Sequence, residues 1–427
     1  MPTSRTIILA FVIISCLNIP RNIINVFGLH FLLFGNDLPY LAPFCLLLLT
    51  INLSMTKGNA KLLIGTEDVY FVIALLTWTL LEYYHNIEHS GANLYIVLSN
   101  FWFLVFYFLL KTYVRLSGIE VIKELMNTTA YIITAVLLFH LALQGIARYS
   151  GGAADFINES ELFETNGMSL IALFLIHLIL FYMPVKTRME RLRLNFILIP
   201  LCIFVIILNE SRGALILLFL IFLIKTLLFT SLSKQAIIAG VLILFVLIFI
   251  RYFDTNWVVQ QSEFIYKSFS SEPVDMSADL VYHLPSSFVS SYQRITSIKL
   301  GLQSFSNNPI IGSGLVEAHS IRVAGYIIHS YYIFPLVAYG LIGIIPYILS
   351  FHYILKKGYI VMPRETIASL VFIIGAMTFD NEMSQWYALL FIFIRYSRYI
   401  NEISKVSSFQ FNRSTYHERV NHRFQKA

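Results

Sequence analysis

The chain has 427 residues, of which 57% are hydrophobic and 13% are charged, and its mean hydropathy is +0.72. Soluble globular proteins carry about 25% charged residues, so this composition excludes an ordinary soluble domain and indicates an integral membrane protein. The formal net charge of +6 does not indicate a nucleic-acid partner, because basic residues of polytopic proteins concentrate in cytoplasmic loops. Cys16, Cys45 and Cys202 lie in apolar segments at spacings that indicate neither a disulfide framework nor a metal site, and no cofactor is expected.

About twelve apolar segments approach the roughly 20 residues that a helix needs to cross a bilayer. We therefore expect an all-α fold, a single polytopic membrane domain over residues 1–427, with no cleavable signal at its start. In chain order the predicted spans are 6–34, 39–54, 69–84, 93–112, 128–146, 168–184, 196–208, 214–230, 236–252, 330–350, 367–380 and 383–395. The first is interrupted at Pro20-Arg21, so it is either one kinked helix or a short span followed by an interfacial segment.

The segments between the predicted spans alternate in charge. Residues 185–194, 351–366 and the tail 396–427 are basic, which predicts a cytoplasmic location by the positive-inside rule. Residues 85–92 and 147–167 are acidic and are expected on the opposite side. The alternation holds along the whole chain if both termini are cytoplasmic, which predicts an even number of spans.

Residues 253–329 form a much longer hydrophilic loop on the non-cytoplasmic side. Loops longer than about 12–15 residues are usually functional or disordered, and this one is not of low complexity. Its segment "SSYQRITSIKLGLQSF" has four apolar residues on one helical face, namely Ile295, Ile298, Leu302 and Phe305. Ser290 or Ser291 can cap this helix, and "NNP" at 307–309 ends it. We expect an amphipathic helix on the membrane surface or across the mouth of the bundle.

The sequence Asn209-Glu210-Ser211-Arg212-Gly213 places two charged residues inside an apolar stretch. An ionised residue at the centre of a bilayer costs roughly 2.5–3.5 kcal/mol. Because the flanking predicted spans are short, we expect this turn to be recessed below the non-cytoplasmic surface, with Arg212 facing a wet cavity lined by protein. The alternative is a local ion pair between Glu210 and Arg212 that caps a tight helical hairpin, with Gly213 supplying the turn.

His140 and His177 fall within predicted spans. We expect each to pack inside the bundle with one hydrogen bond between helices, a proton relay being the alternative.

Three segments occur in a suggestive order: "SRGALILLFLIFL" (211–223), "YQRITSIKLGLQSFSNNPIIGSGL" (292–315) and "HSYYIFPLVAYGLIGIIPYIL" (329–349). Together they resemble the O-antigen ligase/polymerase superfamily of bacterial polysaccharide assembly. In that family a Ser-Arg-Gly opens a span, and an Arg starts a periplasmic helix that ends in a Pro-x-x-Gly-x-Gly turn. A His-Asn or His-Ser then precedes a span containing Gly-Leu-x-Gly. The resemblance covers about 195–350. The chain departs from the family at Ser330, where many members have Asn, and has no acidic residue between Ser330 and Gly340, where ligases and many polymerases carry Glu.

The resemblance implies a metal-independent, inverting glycosyltransferase of the bacterial inner membrane. Its donor would be a glycan on undecaprenyl pyrophosphate, presented at the periplasmic face. Arg212 and Arg294 would hold the pyrophosphate, because guanidinium groups pair with phosphate oxygens in bidentate fashion. His329 would be the general base that takes the proton from the acceptor hydroxyl. The further candidates for substrate binding are Arg322, Glu210 and His319.

Three functions remain open. A polymerase would transfer the growing glycan onto a lipid-linked repeat unit, and a regulator of chain length would be a possible partner. A ligase would transfer the same glycan to lipid A–core. A flippase for lipid-linked sugars is the third, but transporters typically show internal repeats and helices broken at the midplane of the membrane. Here the polar residues gather at one face beside one long loop, which disfavours transport. The "YGLIG" segment and the short His329-Ser330 motif favour the polymerase over the ligase.

Overall fold

The computed structural model describes residues 9–10, 12–13, 65–85, 90–117, 119–149, 165–183, 188–209, 211–229, 286–321, 328, 332–379, 387–396 and 400. This part of the chain is 92% helical and contains no strand, which confirms the all-α fold class. Three predicted segments lie outside it, namely the spans 39–54 and 236–252 and nearly all of the span 6–34. Most of the loop 253–329 and of the tail 396–427 also lies outside.

A described helix overlaps each of the remaining nine predicted spans, and three more helices form in connecting segments. In chain order they are α1 (Thr66–His85), α2 (Ser90–Ser117), α3 (Ile119–Tyr149), α4 (Thr165–Phe181), α5 (Arg188–Arg193), α6 (Ile199–Leu208), α7 (Arg212–Phe229), α8 (Ser286–Asn307), α9 (Gly314–Ser320), α10 (Ile333–Val361), α11 (Pro363–Phe379) and α12 (Tyr387–Arg395). A π-helical turn, Leu194–Leu198, joins α5 to α6.

Two of the described helices contain stretches that are long and apolar enough to cross a membrane. These stretches are Val121–Ala142 and Ile333–Val361. Three further apolar helices are shorter, namely Gly167–Phe181, Leu194–Leu208 and Gly213–Phe229.

Helices α1 and α10 pack side by side in opposite directions and define the two ends of the bundle. Near one end, Trp78 stacks on Tyr339 with ring centroids 4.2 Å apart, and its indole N–H donates to the Gly343 carbonyl at 2.9 Å. At the other end, the Lys357 ammonium lies 2.8 Å from the Glu67 carboxylate. We call these the Gly340 end and the Glu67 end, after the residues that α10 and α1 place there.

The direction of the chain assigns α7 to the same frame. Helix α11 starts directly after α10 reaches the Glu67 end. There, the Arg364 guanidinium carbon lies 6.0 Å from the centre of the Phe229 ring, which is the last residue of α7. Helix α7 therefore begins at the Gly340 end, and the turn that precedes it lies at the same end.

Helix α10 differs from the predicted span 330–350. It continues to Val361, through residues expected to form a cytoplasmic loop. It ends there because a residue before proline is pushed out of the helical region, and Met362, before Pro363, has φ −134° and ψ 73°. Within α10, Gly340 has φ 59° and ψ −164°, a conformation essentially restricted to glycine, and the helix is broken at this residue.

Helix α8 confirms the predicted helix but corrects its start and one residue of its packing face. It ends at Asn307 as expected, yet it begins at Ser286, before the predicted serine caps. The packed face contains Gly301, where an added Cβ would lie 2.7 Å from the Ile333 side chain, whereas Leu302 is 46% exposed. Phe305 of the predicted face does pack against the core, so the correction concerns Leu302.

Candidate active site

The segment between α8 and α9, residues 308–313, docks into the break of α10 at Gly340. Three backbone hydrogen bonds join them: Leu341 N–H to the Pro309 carbonyl at 3.0 Å, Ile342 N–H to the Ile310 carbonyl at 3.0 Å, and Ser313 N–H to the Val337 carbonyl at 2.8 Å. His85 at the end of α1 adds a contact of 3.4 Å between its Nε2 and the Ile311 carbonyl. A helix break leaves backbone groups without their helical partners, and here the docked segment satisfies them. Two motifs that lie apart in the sequence, "NNPIIGSG" and "YGLIG", therefore form one unit.

Glycine is required at both points of closest approach between these motifs. Gly312 has φ 73° and Gly340 has φ 59°, values that side chains disfavour. A Cβ on Gly312 would lie 2.5 Å from the Ala338 carbonyl oxygen, and a Cβ on Gly340 would lie 2.5 Å from the Gly312 nitrogen. Because the obstructing atoms belong to the backbone, no change of rotamer relieves either overlap.

Helix α9 is held against α1 by a buried carboxylate. Glu82, in the last turn of α1, is 3% exposed and accepts a hydrogen bond from the Leu315 N–H at 3.0 Å. Nδ1 of His319 lies 2.8 Å from the Leu315 carbonyl, and its ring meets Phe334 edge-on with centroids 4.9 Å apart. A carbonyl can only accept, so Nδ1 of His319 carries the proton. In the neutral imidazole, Nε2 then carries the acceptor lone pair.

Two residues of the turn between α6 and α7 are buried in the described part of the chain. Asn209 and Ser211 are each 7% exposed. Oδ1 of Asn209 lies 3.0 Å from Nε2 of His140, and its Nδ2 donates to the Ser169 hydroxyl at 3.2 Å. The side chain of Asn209 therefore links α3 and α4 to this turn, and His140 makes the expected hydrogen bond between helices.

His177 also makes the expected hydrogen bond between helices. Its Nε2 lies 3.0 Å from the Ser369 hydroxyl of α11, and the Tyr182 hydroxyl lies 2.8 Å from the same oxygen. Ser369 donates its one proton to the Glu365 carbonyl at 2.9 Å. His177 and Tyr182 must therefore both donate to Ser369, which gives the histidine a packing role.

The residues predicted for the site fall into two groups. Arg212 is the first residue of α7, at the Gly340 end, and the structure describes its backbone. The backbone of Arg294 lies in α8, about 10 Å along the helix from the point where Gly301 packs against the start of α10. His319 lies in α9, beside the docked segment. The other three predicted residues lie outside the described residues: His329, Glu210 and Arg322.

Sequence analysis did not single out Glu82. An acidic residue in the last turn of an apolar helix was the available signal, since such a group is costly to bury without donors. Within the described ranges, no group of three or more His, Cys, Asp or Glu side chains is arranged to hold a metal ion.

A second set of charges lies at the opposite end of the bundle, where the Glu67 side chain is fully buried and faces three cations. The Lys357 ammonium lies 2.8 Å and the Lys111 ammonium 3.6 Å from its carboxylate, and the Arg395 guanidinium also contacts it. Lys111 pairs in addition with Asp68. We call these five residues the Glu67 cluster. It ties α1, α2, α10 and α12 together, away from the motifs that suggest chemistry.

A scan of models of known protein families finds none that matches this sequence, and no curated protein matches it either.

Proposed function

We propose that the chain is a multi-pass membrane glycosyltransferase, a polymerase of O-antigen or of a related surface polysaccharide. It would transfer a glycan from undecaprenyl pyrophosphate onto a lipid-linked repeat unit. The proposal is supported chiefly by one observation: the start of α7 at Arg212, the docked segment 308–313 and the break at Gly340 lie at the same end of the bundle. These are the segments on which the resemblance to the O-antigen ligase/polymerase superfamily rests.

A bilayer around about twelve spans is the second part of the proposal, with both termini cytoplasmic and the Gly340 end periplasmic. Two long apolar helices support it. So do the apolar side chains on the outer faces of helices, such as Leu76 at 57%, Leu80 at 68% and Ile348 at 56% exposed. Soluble proteins rarely expose large contiguous apolar surfaces, whereas acyl chains would cover these side chains at no cost.

In the proposed reaction, a hydroxyl oxygen of the acceptor sugar attacks the anomeric carbon of the donor. The pyrophosphate leaves with the electron pair of the broken bond, so a single displacement inverts the anomer. Arg212 and Arg294 hold the pyrophosphate and stabilise its growing charge, and His329 takes the proton of the attacking hydroxyl. Arg322, Glu210 and His319 are the proposed substrate contacts.

Deletion of the gene in the host strain, followed by a lipopolysaccharide gel, tests this function. A single band of core plus one repeat unit is the expected result, because joining to core continues while polymerisation stops. Bare core, with long glycan accumulating on undecaprenyl pyrophosphate, would instead identify the ligase, which uses the same donor and a different acceptor. An unchanged ladder would overturn both assignments.

Complementation of the deletion strain tests the site. We expect Arg212→Lys to reduce the ladder by about 100-fold or more, because lysine keeps the charge and loses the bidentate fork that stabilises the leaving group. Arg364→Lys is the matched control, since Arg364 lies at the Glu67 end, and it should restore the ladder. Membrane abundance is measured for both variants. A full ladder with Arg212→Lys would overturn the role of this arginine.

A further inference from the structure

The outer face of α10 carries an exposed apolar stripe that begins beside the docked segment. Leu341, Ile345 and Ile348 recur at the spacing of one helical face and are 43%, 50% and 56% exposed. The Ile310 carbonyl accepts from the Ile342 N–H at 3.0 Å, which places Ile310 next to the first residues of this stripe. The Ile310 side chain is 60% exposed, so the docked segment continues the apolar surface of the helix.

Contacts with α1 give the depth of Ile310 in the bundle. The Trp78 indole donates to the Gly343 carbonyl, one residue from the N–H that pairs with Ile310, so Ile310 lies near the level of Trp78. Tyr83 and Tyr84 are 59% and 67% exposed near the end of α1, and tyrosines are enriched at membrane–water boundaries. A helix rises about 7 Å from Trp78 to Tyr83, so Ile310 lies about that far inside this boundary.

Helix α9 lies further out than Ile310. The Leu315 N–H donates to the Glu82 carboxylate at 3.0 Å, and Glu82 lies one helical turn beyond Trp78 on α1. Glu317, two residues further along α9, is exposed. The chain therefore runs outward from Ile310, and α9 lies at the level of the exposed tyrosines.

The backbone of the docked segment is paired as a place among acyl chains requires. Unsatisfied polar groups are costly there, and non-helical backbone is tolerated only where the protein satisfies it. Pro309 has no N–H to satisfy. The carbonyls of residues 308–311 contact, in chain order, the Gly312 N–H at 2.9 Å, the Leu341 N–H at 3.0 Å, the Ile342 N–H at 3.0 Å and Nε2 of His85 at 3.4 Å.

The residues just before Pro309 are polar and exposed. They are Ser306, Asn307 and Asn308. An amide that faces acyl chains loses its hydrogen bonds to water, so these side chains require an aqueous side. This part of the chain therefore has an apolar side at Ile310 and a polar side at Asn307.

We propose that the docked segment is embedded in the bilayer, with Ile310 in contact with acyl chains and Asn307 facing a water-filled depression. The inference rests on the bilayer part of the proposed function and not on the reaction. The hydrocarbon of bilayer lipids is the partner, because the stripe that Ile310 extends continues along a helix long and apolar enough to cross a membrane. The candidate site then lies below the membrane surface, with lipid on one side and water on the other.

Nitroxide labels on single cysteines test this placement. The full chain, with its three native cysteines replaced by alanine, is reconstituted in vesicles of phosphatidylethanolamine and phosphatidylglycerol. Dissolved oxygen concentrates in hydrocarbon, whereas a neutral polar nickel chelate stays in water, and collisions with either are measured by electron paramagnetic resonance. The nickel chelate should collide with Ile310→Cys at least about 10-fold less often than with Glu317→Cys, because hydrocarbon excludes polar solutes. Oxygen collisions should show the opposite order.

Two further positions serve as matched controls. Ile348→Cys lies deeper on the same stripe and should give a higher ratio of oxygen to nickel collisions than Ile310→Cys. Asn307→Cys lies close to Ile310 in depth but on the polar side, so its nickel collisions should be close in frequency to those of Glu317→Cys.

The possible outcomes distinguish the alternatives. Nickel collisions as frequent at Ile310→Cys as at Glu317→Cys would overturn the embedding. Few collisions with either reagent would show that protein, from this chain or a second copy, covers Ile310, and would overturn the lipid contact. A lipid-like ratio at Asn307→Cys would overturn the depression. If Ile310→Cys does not fold, Leu341→Cys, which pairs with the docked segment, decides its depth.

Failure of the proposed reaction would look different from failure of this inference. An unchanged lipopolysaccharide ladder in the deletion strain would leave the collision ratios as expected. Frequent nickel collisions at Ile348→Cys would show that α10 has no bilayer around it, and would overturn both the inference and the bilayer part of the proposed function.

Discussion

The contact between Gly312 and Gly340 shows how single residues can fix the position of a whole segment. Each glycine has a positive φ, and each would bring a Cβ against backbone atoms of the other motif. The three hydrogen bonds around them form only at this separation. The positions of α8, α9 and α10 relative to one another therefore require that Gly312 and Gly340 carry no Cβ.

Gly340→Ala tests this dependence. Strain in a conformation reserved for glycine, together with overlap against the Gly312 nitrogen, should lower the stability of the protein by more than about 2 kcal/mol. Loss of monodisperse protein on heating in detergent is the measurement. Gly375→Ala is the control, because the atom nearest to its Cβ is the flexible end of Leu217 and alanine favours a helix. Equal melting of the two variants would contradict the requirement for glycine.

At the scale of helices, the Glu67 cluster joins four elements through one carboxylate. The partners of Glu67 come from α2, α10 and α12, and the Lys111 side chain is fully buried with it. A buried ion pair is weak support for stability in itself, but the loss of one partner leaves charges uncompensated. The cluster is thus a point where four helices depend on a single residue.

Glu67→Gln should destabilise the bundle by about 3–5 kcal/mol, because the buried Lys111 ammonium and the Arg395 guanidinium lose a shared counter-charge. Thermal aggregation in detergent reports this loss. Glu317→Gln removes an exposed carboxylate on α9 and should change stability by less than about 0.5 kcal/mol. If Glu67→Gln melts with the wild type, the cluster does not contribute to the stability of the fold.

The helices themselves could be predicted from the sequence, because long apolar segments signal them locally. For α1 to α4, α6, α7 and α10 to α12, the predicted spans lie where helices form. The predicted end of α10 was wrong. Lys356 and Lys357 indicated a loop, but Lys357 has an anionic partner on α1 and lies within the helix. Pairing at a separation of 290 residues leaves no local signal.

Part of the candidate site could also be predicted, because local sequence motifs indicate some of its residues. The motifs of the resemblance pointed to Arg212 and Arg294, and nearness in the sequence added His319; the helices that carry these three residues are described. The docking of the two glycine motifs and the hydrogen bond of Glu82 to Leu315 could not be predicted. Each depends on backbone groups brought together by packing, at a separation of 233 residues for Glu82.

At the scale of the whole molecule, different kinds of interaction hold the helices together at the two ends of the bundle. The Gly340 end is joined by backbone hydrogen bonds around a docked segment, whereas the Glu67 end is joined by ion pairs around a buried carboxylate. A flippase would have to open both ends in turn, and opening the Glu67 end would separate these charges. The difference favours an enzyme that is accessible from the Gly340 end.

The proposed orientation places the two ends on opposite sides of the membrane. In a background with Cys16, Cys45 and Cys202 replaced by alanine, Glu317→Cys should react with an impermeant maleimide in intact spheroplasts. Lys356→Cys should react only after permeabilisation. Both positions are exposed in the described part of the chain, so accessibility to the reagent is not limited by the protein. Labelling of both positions from one side would contradict the proposed topology.

The Glu67 cluster can be completed only late in the synthesis of the chain, because its residues lie far apart in the sequence. Lys111 follows Asp68 by 43 residues, Lys357 follows Glu67 by 290, and Arg395 follows Glu67 by 328. Because N-terminal segments are synthesised first, Glu67 and Asp68 are made long before Arg395, which is the last of their cationic partners in the chain. A nascent chain that stops before α10 has, among the described residues, only Lys111 facing the carboxylates of Glu67 and Asp68, so one negative charge is unbalanced at the junction of its helices. Quality-control proteases, which act on chains that open, would therefore distinguish unfinished from finished molecules at this junction.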